Sequence, residues 1–145
     1  MEPRQFQYLA ERLAEHGAYP AEFRSAISRA YYAAFHFGLN LLREMGFSIV
    51  ENATAHEDVY LHLNNSGDHD LIAVASKIKD LRARRIHADY RLQRRDVEAK
   101  ENAKMYVRLA SRLMETIEKR CNSESRGQII EAIQNWKNNI RNSLD

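Results

Sequence analysis

The stretch Arg82-Ala83-Arg84-Arg85-Ile86-His87-Ala88-Asp89-Tyr90-Arg91-Leu92-Gln93-Arg94-Arg95 holds six arginines and a histidine against one carboxylate, Asp89. A guanidinium presents a planar fork of donors that matches phosphate oxygens, and a tyrosine beside it stacks on a base. Arg84, Arg91, Arg94 and Arg95 are therefore candidate contacts to a nucleic-acid backbone. The same composition also suits a solvated helix end, where cations complement the C-terminal dipole. On a helix, Arg82, Arg85 and Asp89 share one stripe that continues the apolar one through Ile78, because steps of three and four stay on a face. Such an Arg85–Asp89 pair is either a buried ion pair that fixes helix register or an arginine held by a carboxylate for a phosphate; the spacing allows both.

A second constellation is Arg24-Ser25-Ala26-Ile27-Ser28-Arg29-Ala30-Tyr31-Tyr32-Ala33-Ala34-Phe35-His36. Small residues interleaved with aromatics are first of all core packing. Arg29 and Tyr32 fit a core poorly and join the candidate RNA contacts. Buried tyrosine hydroxyls seek polar partners, so Tyr31 or Tyr32 is expected to bond Asp89 or Arg85. His56, His62 and His69, with Asp58, Asp68 and Asp70 nearby, lack His-Glu-x-x-His or Cys/His spacing, and six residues place His56 nearly opposite His62 on a helix. No metal or other cofactor is expected. There is no Gly-rich phosphate loop, no Gly-x-Ser-x-Gly turn and no activated-thiol pattern around Cys121.

The elements that must carry these residues are helices. Phe6, Leu9, Ala10 and Leu13 recur at helical spacing between Pro3 and Gly17; Phe23 to Met45 do so between Pro20 and Gly46. Thr54-Ala55-His56-Glu57 has the form of a capping box for a third helix ending near Leu63. Asn64-Asn65-Ser66-Gly67 breaks the chain before a fourth helix from Asp68 toward Tyr90. Asp96 is expected to cap a fifth, and Ile129, Ile130, Ile133, Trp136, Ile140 and Leu144 mark a sixth after the Asn122–Ser125 linker.

Composition agrees with this pattern. With 145 residues one domain is expected, and five Gly with two Pro cannot punctuate a sandwich or barrel. The fold expected is all-α: an antiparallel up-and-down bundle of five helices over 1–121, with 122–145 a C-terminal helical extension of the same domain. A single cysteine and an N-terminus without a leader pattern point to a reducing, cytoplasmic setting, and no apolar run is long enough for a membrane span. The net charge of +2 names no partner by itself.

Taken together, Arg24–His36, His56 with Val59, and Arg85-Ile86-His87-Ala88-Asp89-Tyr90 resemble the HEPN domain family, over roughly residues 20 to 110. The resemblance implies a helical bundle that commonly dimerises. Many relatives are metal-independent endoribonucleases, often toxins paired with a nucleotidyltransferase-type antitoxin; others are non-catalytic modules that bind RNA, nucleotides or proteins. Catalytic relatives carry an Arg followed after four to six residues by a His, and two subunits line one cleft. Aligned on Ala88-Asp89-Tyr90, the family arginine is Arg85, and Tyr90 stands where the histidine would. A second frame, Arg82 to His87, has the spacing, although five residues turn about 140° on a straight helix. On this resemblance Arg85 or Arg82 holds the phosphate, His87 or Tyr90 moves protons, and Asp89 orients the arginine. A homodimer acting on RNA is expected, with the apolar face of the last helix covered by its own bundle or by the second copy.

Overall fold

The computed structural model describes residues 1–144; Asp145, the last residue of the C-terminal extension, lies outside the described residues. Pro3 stands immediately ahead of α1 (Arg4–His16), where its missing N–H costs nothing. After Gly17 the chain turns within three residues into α2 (Pro20–Glu44). Glu22 secures that start, its carboxylate accepting from the backbone N–H groups of Ala18 and Tyr19 at 3.3 and 3.2 Å.

α2 is the central helix. Its Ala26, Ile27, Ala30, Ala33, Ala34 and Leu39 are buried, and the alanines let α1, α4 and α5 all pack directly against it. It ends at a turn that needs Gly46, whose φ is +99°.

α3 (Ala55–Asn64) starts where the spacing predicts, but by a different device. The capping box does not form: the Thr54 hydroxyl donates to Asn52 Oδ1 at 2.6 Å, and the Thr54 N–H donates to the same oxygen at 2.9 Å. Asn52 thus builds an Asx-type turn that competes for the Thr54 side chain. α4 (His69–Tyr90) follows a turn with Gly67 at φ +67°. Asp68 caps it, accepting from the Leu71 N–H at 3.0 Å.

Asp96 does not cap the fifth helix. It opens a single 3₁₀ turn (Asp96–Glu98), and α5 (Lys100–Cys121) begins after Ala99 with no side-chain cap. The reason is electrostatic: both Asp96 oxygens are engaged by Arg94, at 3.1 and 3.3 Å. α6 (Arg126–Leu144) follows the short linker. Ile129 and Ile133 are fully buried on the bundle, half-buried Trp136 packs on His62, and Ile140 and Leu144 are exposed. Arg120 ties the two corners together, donating twice to Asp68 Oδ2 at 3.0 and 2.8 Å and once to Ser125 Oγ at 3.2 Å.

The architecture is therefore an all-α bundle, with six α-helices among the described residues. None of them is long and apolar enough to cross a membrane.

Candidate functional site

The basic segment is held in place by Arg24. This side chain is buried, and its guanidinium reaches the exposed end of α4, donating to the carbonyls of His87, Ala88, Arg91, Leu92 and Arg94 at 3.1, 2.9, 3.3, 3.1 and 2.6 Å. A helix leaves its last carbonyls without intrahelical partners, and a fork of donors from α2 supplies them here. Glu98 at 3.7 Å balances the charge. Arg24 is thus spent on structure, and it fixes how the Arg91–Arg95 loop leaves the bundle.

Where α2, α3 and α4 meet, half-buried Tyr32 of α2 lies with its ring centre 6.1 Å from that of His36 and 6.2 Å from that of His56 in the first turn of α3, and Arg82 of α4 is near enough for its charge to act on His56. Beneath them lie buried Tyr31 and Arg85. The Arg85 guanidinium lies 5.7, 5.3 and 5.8 Å from the ring centres of Tyr31, Tyr32 and Tyr90. Its Nη1 is 3.6 Å from Asp89 Oδ2, which also accepts from Ser28 Oγ at 3.0 Å. Arg29 covers the edge, 5.1 Å from the Phe6 ring and 5.2 Å from Tyr32. The Tyr31 hydroxyl bonds neither Asp89 nor Arg85 as the sequence led us to expect; it meets His56 Nδ1 at 2.6 Å, and His56 stacks on Phe35 with ring centres 4.3 Å apart.

The charge balance of this face is lopsided. Arg85 is only 7% exposed, yet its Nε, like that of Arg82, is buried without a hydrogen-bond partner. Arg82 makes no ion pair among the described residues. Buried donors without acceptors are costly, so two such guanidinium nitrogens side by side on one helix favour an oxyanion. The neighbours register the same field. Burial, and then the charges of Arg82, Arg85 and His36, hold His56 down to about 4. Burial pushes the Tyr31 hydroxyl far above the usual phenol range, outweighing the opposite pull of Arg82 and Arg85. At neutral pH both are uncharged, and the cationic character of the face comes from Arg29, Arg82 and Arg85.

The remaining residues of the basic segment face elsewhere. His87 is surrounded by Arg84, Arg91, Arg94 and Asp96, and its titration is lowered by burial and then by Arg94 and Arg84. Arg82 and His87 both lie within α4, where five residues turn about 140°, so the Arg82–His87 frame points in two directions. Arg84 and Arg94 are partnered by Asp96, at 3.8 and 3.1 Å, whereas Arg91 and Arg95 are exposed on the loop. Tyr90 is 69% exposed beside Arg85. The structure therefore brings together Arg29, Tyr32, Arg82, Arg85, Asp89 and Tyr90, and it separates them from Arg84, His87 and Arg94.

Neither His56 nor Tyr31 is a site residue in the sequence reading: His56 enters there as a histidine without metal-ligand spacing and as part of the family resemblance, and Tyr31 as a tyrosine expected to bond Asp89 or Arg85. Two of the other residues considered for metal have structural roles: His62 is buried, with Nδ1 2.6 Å from the Asp58 carbonyl oxygen and its ring against Trp136, and Asp68 is a cap. Cys121 is buried, its thiol pushed up to about 11 by burial, which leaves it little thiolate at neutral pH. Comparison of the chain with protein-family models, curated proteins and solved structures finds no match.

Proposed function

We propose that this chain is a HEPN-type domain that binds single-stranded RNA, gripping the phosphate backbone on the face formed by Arg29, Arg82 and Arg85 and stacking bases on Tyr32 and Tyr90. The observation that carries this reading is the pair of buried, unpartnered Nε donors of Arg82 and Arg85, with the Arg85 guanidinium among three tyrosine rings. Binding without cleavage is the better supported of the two functions the sequence suggests. An Arg–His ribonuclease pair needs both side chains on one phosphate, and His87 stands among Arg84, Arg91 and Arg94 instead. A metal-independent ribonuclease toxin, silenced by a nucleotidyltransferase-type antitoxin, is the alternative that the same experiment addresses. Self-association belongs to the proposal as well: Leu92, exposed just past the end of α4, is apolar surface that a second copy would cover.

The test is anisotropy of a labelled single-stranded RNA across a salt series, with the same samples run on a denaturing gel in excess chelator. Three phosphate contacts give a slope of log affinity against log salt near −2, and Arg82→Ala should flatten it by about 0.7. Intact RNA is expected on the gel. Chelator-resistant cleavage lost in Arg85→Ala would establish the ribonuclease instead, and no binding at low salt would overturn the RNA reading.

A further inference from the structure

The Tyr31–His56 hydrogen bond lies under the cationic face and takes no part in the phosphate grip described above. Tyr31 is 2% exposed, and His56 Nδ1 is the partner its hydroxyl has among the described residues. With both groups uncharged, a buried phenol hydrogen needs an acceptor, so the hydroxyl donates to Nδ1 and the ring proton of His56 sits on Nε2. A protonated His56 reverses that bond: Nδ1–H donates, the Tyr31 oxygen accepts, and the hydroxyl hydrogen gives up its acceptor, a cost that a bound oxyanion has to offset. The pair therefore has two hydrogen-bonded states that differ by one proton.

The surroundings choose between them. From α2 the ring of His56 is faced by Tyr31, Tyr32, Phe35 and His36; from α4 it feels Arg82 and Arg85. Burial of the ring, and then the two arginine charges, oppose a third cation and keep His56 neutral well below pH 7. An oxyanion seated on those arginines cancels the repulsion and adds an attractive charge of its own. Binding and protonation must then favour one another, by linkage.

We propose that His56 and Tyr31 make this face a proton-coupled oxyanion site: a phosphodiester bound on Arg82 and Arg85 takes up one proton at His56, with the Tyr31 hydroxyl switching from donor to acceptor. The proton comes from solvent and ends on His56 Nδ1; no covalent bond to the ligand forms or breaks. The inference rests on the RNA-binding reading for the biological source of the phosphodiester, while the site itself asks only for a tetrahedral oxyanion.

The experiment measures affinity for an oligouridylate and for sulfate at pH 7.5 and pH 5.0; neither probe titrates in that range. If the bound His56 returns to an ordinary value near 6.5 from about 4, affinity rises about 10- to 30-fold on acidification. His56→Gln should lose most of that rise. In the unaltered protein, the His56 ring titration followed by NMR should move up on adding sulfate, a readout that depends on no variant folding. An acid enhancement equal in His56→Gln and wild type, or a His56 titration that sulfate leaves in place, overturns the proton coupling while RNA binding stands. Sulfate binding with the His56-dependent rise but no oligouridylate binding would keep the coupled site and overturn the RNA reading. Failure of both probes to bind at either pH would overturn both.

Discussion

Replacing Arg24 with alanine should remove most of what holds the end of α4. In the folded chain one guanidinium serves five carbonyls, and the bonds to Ala88 at 2.9 Å and Arg94 at 2.6 Å are the shortest. A hydrogen bond to a charged group contributes about 1.5–3 kcal/mol. The carbonyls of Arg91, Leu92 and Arg94 belong to an exposed loop and regain water when the side chain is lost, so their share is discounted. The Ala88 bond is buried and is not recovered, and Glu98 at 3.7 Å loses its cation. The sum expected is about 3–5 kcal/mol, a large part of the 5–15 kcal/mol typical of a domain. Urea unfolding followed by circular dichroism at 222 nm should show this as a midpoint lower by about 2 M, for a slope of about 2 kcal/mol per molar. Arg24→Lys keeps the charge but not the fork, and should recover less than half. Amide exchange at Leu92 to Arg95 should accelerate with it. A loss below about 1 kcal/mol would refute the assignment of Arg24 as the cap of α4.

Three further outcomes follow from other parts of the fold. Asp68→Ala removes both the cap of α4 and the acceptor for Arg120, and should cost about 2–3 kcal/mol in the same unfolding assay. The titration of His56 makes stability fall with acid: the unfolded chain binds that proton near 6.5 and the folded one only at about 4, so stability drops as pH falls through 6.5 and levels off near 4. The full difference corresponds to ~3 kcal/mol and solvent screening reduces it to about 1–2, the amount by which His56→Gln should be less acid-sensitive than wild type between pH 7.5 and 4.5. Ile133→Ala, at a fully buried position of α6, should cost about 2–4 kcal/mol, whereas Ile140→Ala on the exposed half should stay within about 0.5; equal effects would contradict the division of α6 into a docked and an exposed half.

Helix periodicity made the architecture legible because the long helices bury stripes that show in sequence: Phe23 to Leu42 on α2, Ala103 to Ile117 on α5. The starts of α3 and α5 were less so. Thr54 and Asp96 have the right side chains for caps, and nothing local reveals that Asn52 and Arg94 engage them first. At the site, the face-sharing of Arg82, Arg85 and Asp89 and the distance of His87 from it both follow from 100° per residue. The pairing of Tyr31 with His56 does not, because it joins α2 to α3 across the bundle and depends on tertiary approach. Arg24 was hidden for the same reason: its acceptors are backbone carbonyls more than 60 residues away, which no residue type advertises.

The claim that RNA phosphate seats on the Arg29–Arg82–Arg85 face is tested most directly by an amide chemical-shift map of the full chain titrated with a short single-stranded RNA. Shifts concentrated at Arg29, Tyr32, His36, His56, Arg82 and Arg85, with weaker ones at Tyr90, are the predicted result. Shifts confined to Arg84, His87 and the Arg91–Arg95 loop, or none at saturating RNA, would contradict it.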